Sequence, residues 1–396
     1  MALLAQHGYG KSTKIDTALA EGFIDGAIFS PRDETPINLA NYIESVVNGY
    51  PGKIFFVDPQ FYASTIQEPK LGKLSDYEYF RPELTYRNFV APASITRFVS
   101  DVLEYQRGLS VTHICSPVVA FDSFIDRWAS VALTMAQASI QNHLQSGDSR
   151  PLLISFVISE QAFRNASELD DFLNIITDLD CDGFYIIMKR EDGEFNQTIH
   201  QDALTGLLYL NHILTNLNDY TVFHGYSDFI SIPLHATGAT GTACGWQFSL
   251  RRFTLRRFQP SGGGRQPRPR YSSLNLFNSI LINPELDQIA AQRLLRSVLT
   301  GTNYDAVLGA RLPPSSAPWS NETSSLHHWQ TLKIGIDRII ALRSGAQRLD
   351  EFSRLLSTAS AMYQNISHQR IILQSSTTHI SQWITGFGDF RVKARL

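Results

Sequence analysis

Leu152-Leu153-Ile154-Ser155-Phe156-Val157-Ile158 runs directly into Ser159-Glu160-Gln161. An apolar, β-rich run of this length that stops at a polar cluster reads as a strand of a parallel sheet. Seven more runs repeat the pattern. Leu3-Leu4-Ala5 ends in Gln6-His7-Gly8, Ala27-Ile28-Phe29 in Ser30-Pro31-Arg32-Asp33, and Ile54-Phe55-Phe56-Val57 in Asp58-Pro59-Gln60. His113-Ile114-Cys115 ends in Ser116-Pro117, with Asp122-Ser123 close behind. Phe184 opens a run that ends in Lys189-Arg190-Glu191, Thr221-Val222-Phe223 ends in His224-Gly225-Tyr226, and Thr242-Ala243-Cys244 ends in Gly245-Trp246.

Helical spacing fills most of the gaps: 13–20, 36–47, 94–106, 122–143, 167–179 and 200–217. Ile95, Phe98, Val99, Val102 and Leu103 share one face, and Asp122 or Ser123 can cap the long fourth helix. Alternation of strand and helix specifies the α/β class with a parallel sheet. Eight units fit a closed (β/α)8 TIM barrel better than an open sheet, and active sites of such barrels lie just after the strands. The expected organisation is a barrel core over 1–258 with a Tyr- and Pro-rich insertion at 61–92 on the strand-end face, a basic Gly/Pro linker over 259–275, and a helical C-terminal extension over 276–396. Within that extension, 284–298 is amphipathic and suits the barrel's eighth helix. The stretches 326–342 and 349–363 read as a helical pair packed through Trp329, Leu332, Ile336, Ile339, Phe352 and Leu356.

The 396 residues are 43% hydrophobic, enough for a sizeable core, and carry a net charge of only −3, so no global pull toward nucleic acid or membrane exists. Cys115, Cys181 and Cys244 are widely spaced, which argues against a disulfide framework and for a reducing compartment. The start lacks a signal-peptide pattern and no apolar run spans a bilayer, so a cytoplasmic location without membrane attachment is expected.

Several strand-end clusters carry chemistry. Asp58 and Glu160 directly follow apolar strands and suit an acid/base pair at a glycosidic carbon, with Asp122 and His224 as further catalytic candidates. Helix capping is the competing role for Asp122. His7 and Gln60 suit ligand contacts. Arg251, Arg252, Arg256 and Arg257 open an arginine run, continued by Arg265, Arg268 and Arg270 and interleaved with Phe248, Phe253, Phe258 and Tyr271. Guanidinium groups suit phosphates and aromatics suit exposed bases. No Asp or Glu lies between Asp228 and Glu285. With Gly225 and Gly245 this forms a phosphate-binding hypothesis, since loops after strands seven and eight of barrels often hold phosphate. The competing role of the run is an exposed basic helix over 248–258. No His/Cys/Asp group shows zinc-ligand spacing, so neither metal nor cofactor is expected, and His327-His328 is assigned to the surface. Ala5-Gln6-His7-Gly8-Tyr9-Gly10-Lys11-Ser12 fits a relaxed P-loop.

Asp58-Pro59-Gln60-Phe61 resembles the Asp-Ser-Gly-Gly-Phe segment of the tRNA-guanine transglycosylase barrels, and Ser159-Glu160-Gln161 lies near where that family reads a base. The resemblance covers roughly residues 1–271. It implies a transferase, specifically a glycosyltransferase, that exchanges or removes a purine-like base through a ribosyl intermediate on an Asp near the last strand. Relatives act in nucleic-acid modification and antiviral defence. The chain departs from the family at two points: Gly241-Thr242-Ala243-Cys244-Gly245-Trp246 carries no Asp, and the zinc-binding Cys cluster has no counterpart. Three readings follow: a barrel that binds a nucleic acid or nucleotide-like ligand and acts on a base or N-glycosidic bond; a non-catalytic module for nucleic acid or a protein partner; and an NTPase using Lys11.

Overall fold

A computed structural model of the chain describes residues 1–191, 197–260, 267–375 and 377–396. The strands are β1 (Ala2–Gln6), β2 (Gly26–Phe29), β3 (Ile54–Val57), β4 (Ile114–Cys115), β5 (Ala120–Phe121), β6 (Leu152–Ser159), β7 (Gly183–Lys189), β8 (Thr221–Gly225) and β9 (Gly241–Cys244). They pair in parallel in the order β3-β2-β1-β9-β8-β7-β6-β4, with β5 also on β6. All eight residues of β6 are buried, as a strand covered on both faces requires. Thr112 ties β3 toward β4, donating its N–H to the Phe55 carbonyl at 2.7 Å and accepting from the Phe55 N–H through Oγ1 at 2.8 Å. Eight parallel strand positions thus make a nearly closed (β/α)8 barrel, as the alternation predicts.

The fourth position is a broken strand. Ile114 and Cys115 pair with Leu152 and Leu153, and Ala120 and Phe121 with Val157 and Ile158. Pro117 stands between the halves with no N–H to give, and the Ser116 hydroxyl accepts the Ser155 N–H at 2.8 Å across the gap. Inside the barrel, Phe56 meets Tyr185 and Phe223 edge-on, with ring centroids 5.4 and 5.3 Å apart.

Helices Lys14–Ala20, Pro36–Gly49, Pro92–Arg107, Arg127–Ser146, Ala166–Ile176, Gln201–His212 and Ser231–Ala236 follow the strands. The fourth starts later than expected. Its cap is Asp126, which accepts the Ala129 N–H at 2.8 Å, and Asp122 and Ser123 instead give their N–H groups to the same carboxylate.

Three organisational expectations for the C-terminal half are corrected. Helix Asn321–Ile340, not 284–298, supplies the eighth helical position. It buries Leu326, Trp329, Leu332, Ile336 and Ile339 in the barrel core, and Trp329 donates its indole N–H to the Cys244 carbonyl at 2.7 Å. The amphipathic stretch 284–298 breaks into Asp287–Ala291 and Leu295–Val298 and buries Leu286, Ile289 and Val298 in a second core, against an antiparallel hairpin of β10 (Arg270–Ser273) and β11 (Asn278–Leu281). That hairpin occupies part of the expected linker and opens the expected all-helical region; the linker's central residues 261–266, with Arg265, lie outside the described residues. Helices Gly345–His368 and His379–Ala394 complete the extension, and both bury side chains in the barrel core, so the extension is continuous with it.

The expected basic helix over 248–258 is instead two single 3₁₀ turns, Phe248–Leu250 and Leu255–Phe258. Leu250, Phe253 and Phe258 are buried. Phe253 contacts Tyr62 and Tyr226, with centroids 5.0 and 5.1 Å apart, so these apolar side chains cover the barrel mouth. The insertion 61–92 adds to the cover: Tyr62, Tyr77, Tyr79, Phe80 and Phe89 are buried, and the Lys70 N–H bonds the Phe258 carbonyl at 2.7 Å. Among the described residues no helix is long and apolar enough to cross a membrane.

Candidate functional site

The candidates from sequence fall into three separate places. The first is the covered barrel mouth over β1–β3. Asp58 is buried there, accepting from the Tyr62 hydroxyl at 2.8 Å and the Gln60 N–H at 3.1 Å. Burial pushes its carboxyl up to about 6, against the pull of those donors and of Arg257. Gln60, in a left-handed conformation at φ 55°, accepts from the Arg32 N–H at 3.0 Å and donates to the Ser30 hydroxyl at 2.8 Å. Arg257 ion-pairs with Asp33 and donates to the Tyr226 hydroxyl at 3.1 Å. His7 accepts the Ser30 N–H at 3.3 Å, and burial lowers its pKa to about 4. Asp58, Gln60, Arg257 and His7 therefore do converge, but as a sealed hydrogen-bonded web with no room around Asp58 for a ligand. Lys11 of the P-loop-like stretch lies at the edge of this region, 3.3 Å from Glu34.

The second place is the rim of β6 and β7. Glu160 holds Arg190 at 2.7 Å and accepts the His200 N–H at 2.9 Å. Asp122 is exposed and pairs with Lys189. Among the described residues no hydrogen bond or ion pair joins either of them to Asp58, and Glu160 and Asp58 are each engaged by different partners. His224 points outward, its Nε2 2.8 Å from Asn211 Oδ1, with burial and His235 lowering its pKa to about 3. Gly225 is required by packing: a Cβ there would stand 2.5 Å from the Tyr185 hydroxyl. Gly245 gives its N–H to the Leu250 carbonyl at 3.0 Å, and a Cβ would lie 2.3 Å from that of Leu250.

The third place is the outer side of β9. A cleft of about 690 Å³ opens between the first loop, the segment after β9, the hairpin and the start of helix Asn321–Ile340. Lys14, Arg251, Arg268 and Arg270 line it with Trp246 and Phe248, and its described lining carries no carboxylate. Arg251 is anchored by the Gly245 carbonyl at 3.1 Å and the Ser279 hydroxyl at 3.3 Å. Arg270 donates to the Ser279 carbonyl at 2.7 Å; burial lowers its pKa to about 10, which leaves it charged at neutral pH. Arg252 lies over the Phe248 ring at 5.8 Å, and Arg256 is exposed.

Behind the cleft lies a cluster that sequence reasoning missed. His328 Nε2 stands 3.2 Å from Cys244 Sγ and 3.3 Å from Asp228 Oδ1, and all three side chains are buried. The assignment of His327 and His328 to the surface is corrected: both are 0% exposed. The spacing Ser325-His328-Leu332-Gly335, continuous with the apolar face of its helix, is the signal that could have placed His328 inside. Asp228 follows β8 in a left-handed conformation at φ 43°, uncommon for a residue with a Cβ.

The fold and these sites define a (β/α)8 barrel whose mouth is closed by its own chain and whose open, cationic space lies outside β9. No protein-family model matches the chain, and no curated protein matches it in sequence. The transglycosylase resemblance thus stands on the residues quoted for it.

Proposed function

We propose that this barrel binds a phosphate-bearing, nucleotide-like ligand in the cleft outside β9. The observation that carries the reading is four cationic side chains and two aromatic ones around about 690 Å³ with no carboxylate among the described lining. That volume suits a nucleotide-sized ligand. Guanidinium groups bind phosphate oxygens through charge-assisted, often bidentate hydrogen bonds. Trp246 and Phe248 supply an apolar wall for a base or sugar.

Calorimetric titration with guanosine 5′-monophosphate and with a short single-stranded RNA tests the reading. Lys14→Ala with Arg268→Ala removes the two cations of the wall that are least engaged in holding the fold. Affinity is expected to fall roughly a hundredfold or more, since each of the two lost phosphate contacts is worth on the order of 1.5–3 kcal/mol. Unchanged affinity, or no binding by the parent protein, overturns it. A steep fall of affinity with salt for the RNA but not the mononucleotide assigns the cleft to a polymer.

A second reading, action on a base or N-glycosidic bond, is favoured by one observation: Asp58 has its pKa near 6, in the range useful for general acid–base catalysis. It requires the Phe253–Phe258 segment to lift off the mouth and, because burial is what raises this carboxyl, the bound ligand to cover Asp58 again. Loss of base release or exchange in Asp58→Asn, with the fold retained, supports it; retained activity overturns it.

A further inference from the structure

We infer that Asp228, Cys244 and His328 form a binding site for a zinc-type divalent transition-metal ion, a site independent of the cleft ligand. The donor atoms all lie within 4.8 Å of one another. Zinc–nitrogen and zinc–sulfur bonds of about 2.0–2.1 and 2.3 Å in tetrahedral geometry place neighbouring donors roughly 3.3–3.6 Å apart. The His328–Asp228 and His328–Cys244 separations of 3.3 and 3.2 Å are close to those edges. Hydrogen bonding alone accounts for the cluster poorly. A ring nitrogen serves one proton, yet Nε2 faces both a thiol, whose hydrogen can reach the Gly245 carbonyl at 3.8 Å, and a buried carboxylate oxygen at 3.3 Å that has no well-aligned donor.

The surroundings orient each donor. His328 Nδ1 is 2.7 Å from the Ser272 hydroxyl, which can hold the tautomer that leaves Nε2 free to ligate. Gln197 donates to Asp228 Oδ2 at 2.8 Å, which leaves Oδ1 directed at the cluster. The mixed sulfur, nitrogen and oxygen set selects a borderline-soft ion over magnesium or calcium. A thiolate and a carboxylate would balance its two positive charges, with the Arg251 guanidinium as a further positive neighbour of all three ligands. Three protein ligands leave a fourth position for water or another donor; the small chamber of about 20 Å³ nearby touches Asp228 and neither Cys244 nor His328. Ser272 and Arg251 also line the cleft, so the ion would lie one side chain behind it.

The test uses the full chain, purified and then stripped with a chelator, titrated with zinc and with cobalt(II). The expected result is one equivalent of either ion per chain and, for cobalt, a tetrahedral visible spectrum with a thiolate charge-transfer band. Cys244→Ser should remove that band, and Asp228→Asn and His328→Gln should weaken binding by more than about tenfold, as Ser272→Ala should by about tenfold through the orienting bond. Circular dichroism checks that each variant folds; if the ligand variants do not, Ser272→Ala and the parent spectrum decide. A parent protein that takes up no stoichiometric metal, or binds cobalt without the thiolate band, overturns the inference.

Discussion

The barrel mouth and the outer side of β9 hold similar residue types in opposite states. At the mouth, Arg257 is spent on Asp33 and Tyr226, and Asp58 on Tyr62 and Gln60. Outside β9, Arg251 and Arg270 are held by carbonyl and hydroxyl oxygens around open space, and Arg268 is exposed. The difference lies in how carboxylates meet the cations. At the mouth Asp33 pairs directly with Arg257, whereas outside β9 Arg251 and Arg270 feel Asp228 and Glu285, and the 229–284 stretch between those two acids contains no carboxylate. A strand-end position in a barrel therefore yields a binding site only where the protein's own side chains do not already satisfy it.

The largest expected effect is acid lability of the packed layers on both sides. His7 has a folded pKa of about 4, and His224 and His235 of about 3, each lowered by burial from 6.5. A depressed histidine costs nothing above pH 6.5. As pH falls below that value, the unfolded chain takes up the proton first, and stability drops by about 1.4 kcal/mol per pH unit for each group. Urea unfolding at pH 7 and pH 5 should differ by roughly 4–6 kcal/mol from these three; equal midpoints would show that they are not held neutral.

Next is Arg257→Ala, which leaves Asp33 to Arg32 at 3.2 Å and the Ser30 hydroxyl at 2.7 Å. Breaking a buried pair from one side costs about 3–5 kcal/mol, and these remaining partners put the expected loss at or below the low end of that range. The denaturation midpoint should fall accordingly, with the cleft's affinity for mononucleotide unchanged; a loss confined to ligand binding would place a ligand at the mouth after all. Asp58→Asn separates the regions further. The Asp58 pKa is raised from 3.8 to about 6, so its contribution is present below pH 3.8 and fades as pH rises through 6. A shift of that size is worth about 3 kcal/mol. The parent should lose that contribution between pH 4 and pH 6, partly offsetting the histidines, and Asp58→Asn should abolish the offset. An identical pH profile in the variant would mean an ordinary carboxylate. The smallest effect is Gly245→Ala, expected to cost about 1–3 kcal/mol through the clash with Leu250 and the Gln6 carbonyl, and to loosen the turn that starts the mouth cover. A neutral outcome in thermal melting would show the turn to be compliant.

Much of the barrel was legible because strand and helix periods are local. The eight runs from Leu3 to Cys244 each became a strand position, and helices over 36–47, 94–106 and 167–179 appear within a few residues of their expected bounds. The eighth helix was misplaced because amphipathicity shows that a face is buried and not what it is buried against. The 284–298 face serves the hairpin core, and the barrel waits for Asn321–Ile340. The segment 248–258 was misread for a related reason. Its Leu250, Phe253 and Phe258 stand at i, i+3 and i+8, the spacing of one helical face, and only their contacts across the mouth show that two short turns bury them instead.

By itself the sequence determined the class of fold, the strand-end positions of Asp58, Glu160 and the glycines, and the carboxylate-free arginine segment, because each depends on neighbours within a turn or a strand. Only the tertiary structure decided which of these groups neutralise one another. It sealed Asp58 under Phe253, sent Glu160 to Arg190, and brought Asp228, Cys244 and His328 together from the turn after β8, from β9 and from a distant helix. Burial, charge pairing and donor geometry are properties of side chains that meet across the fold, and separation along the chain carries no record of such meetings.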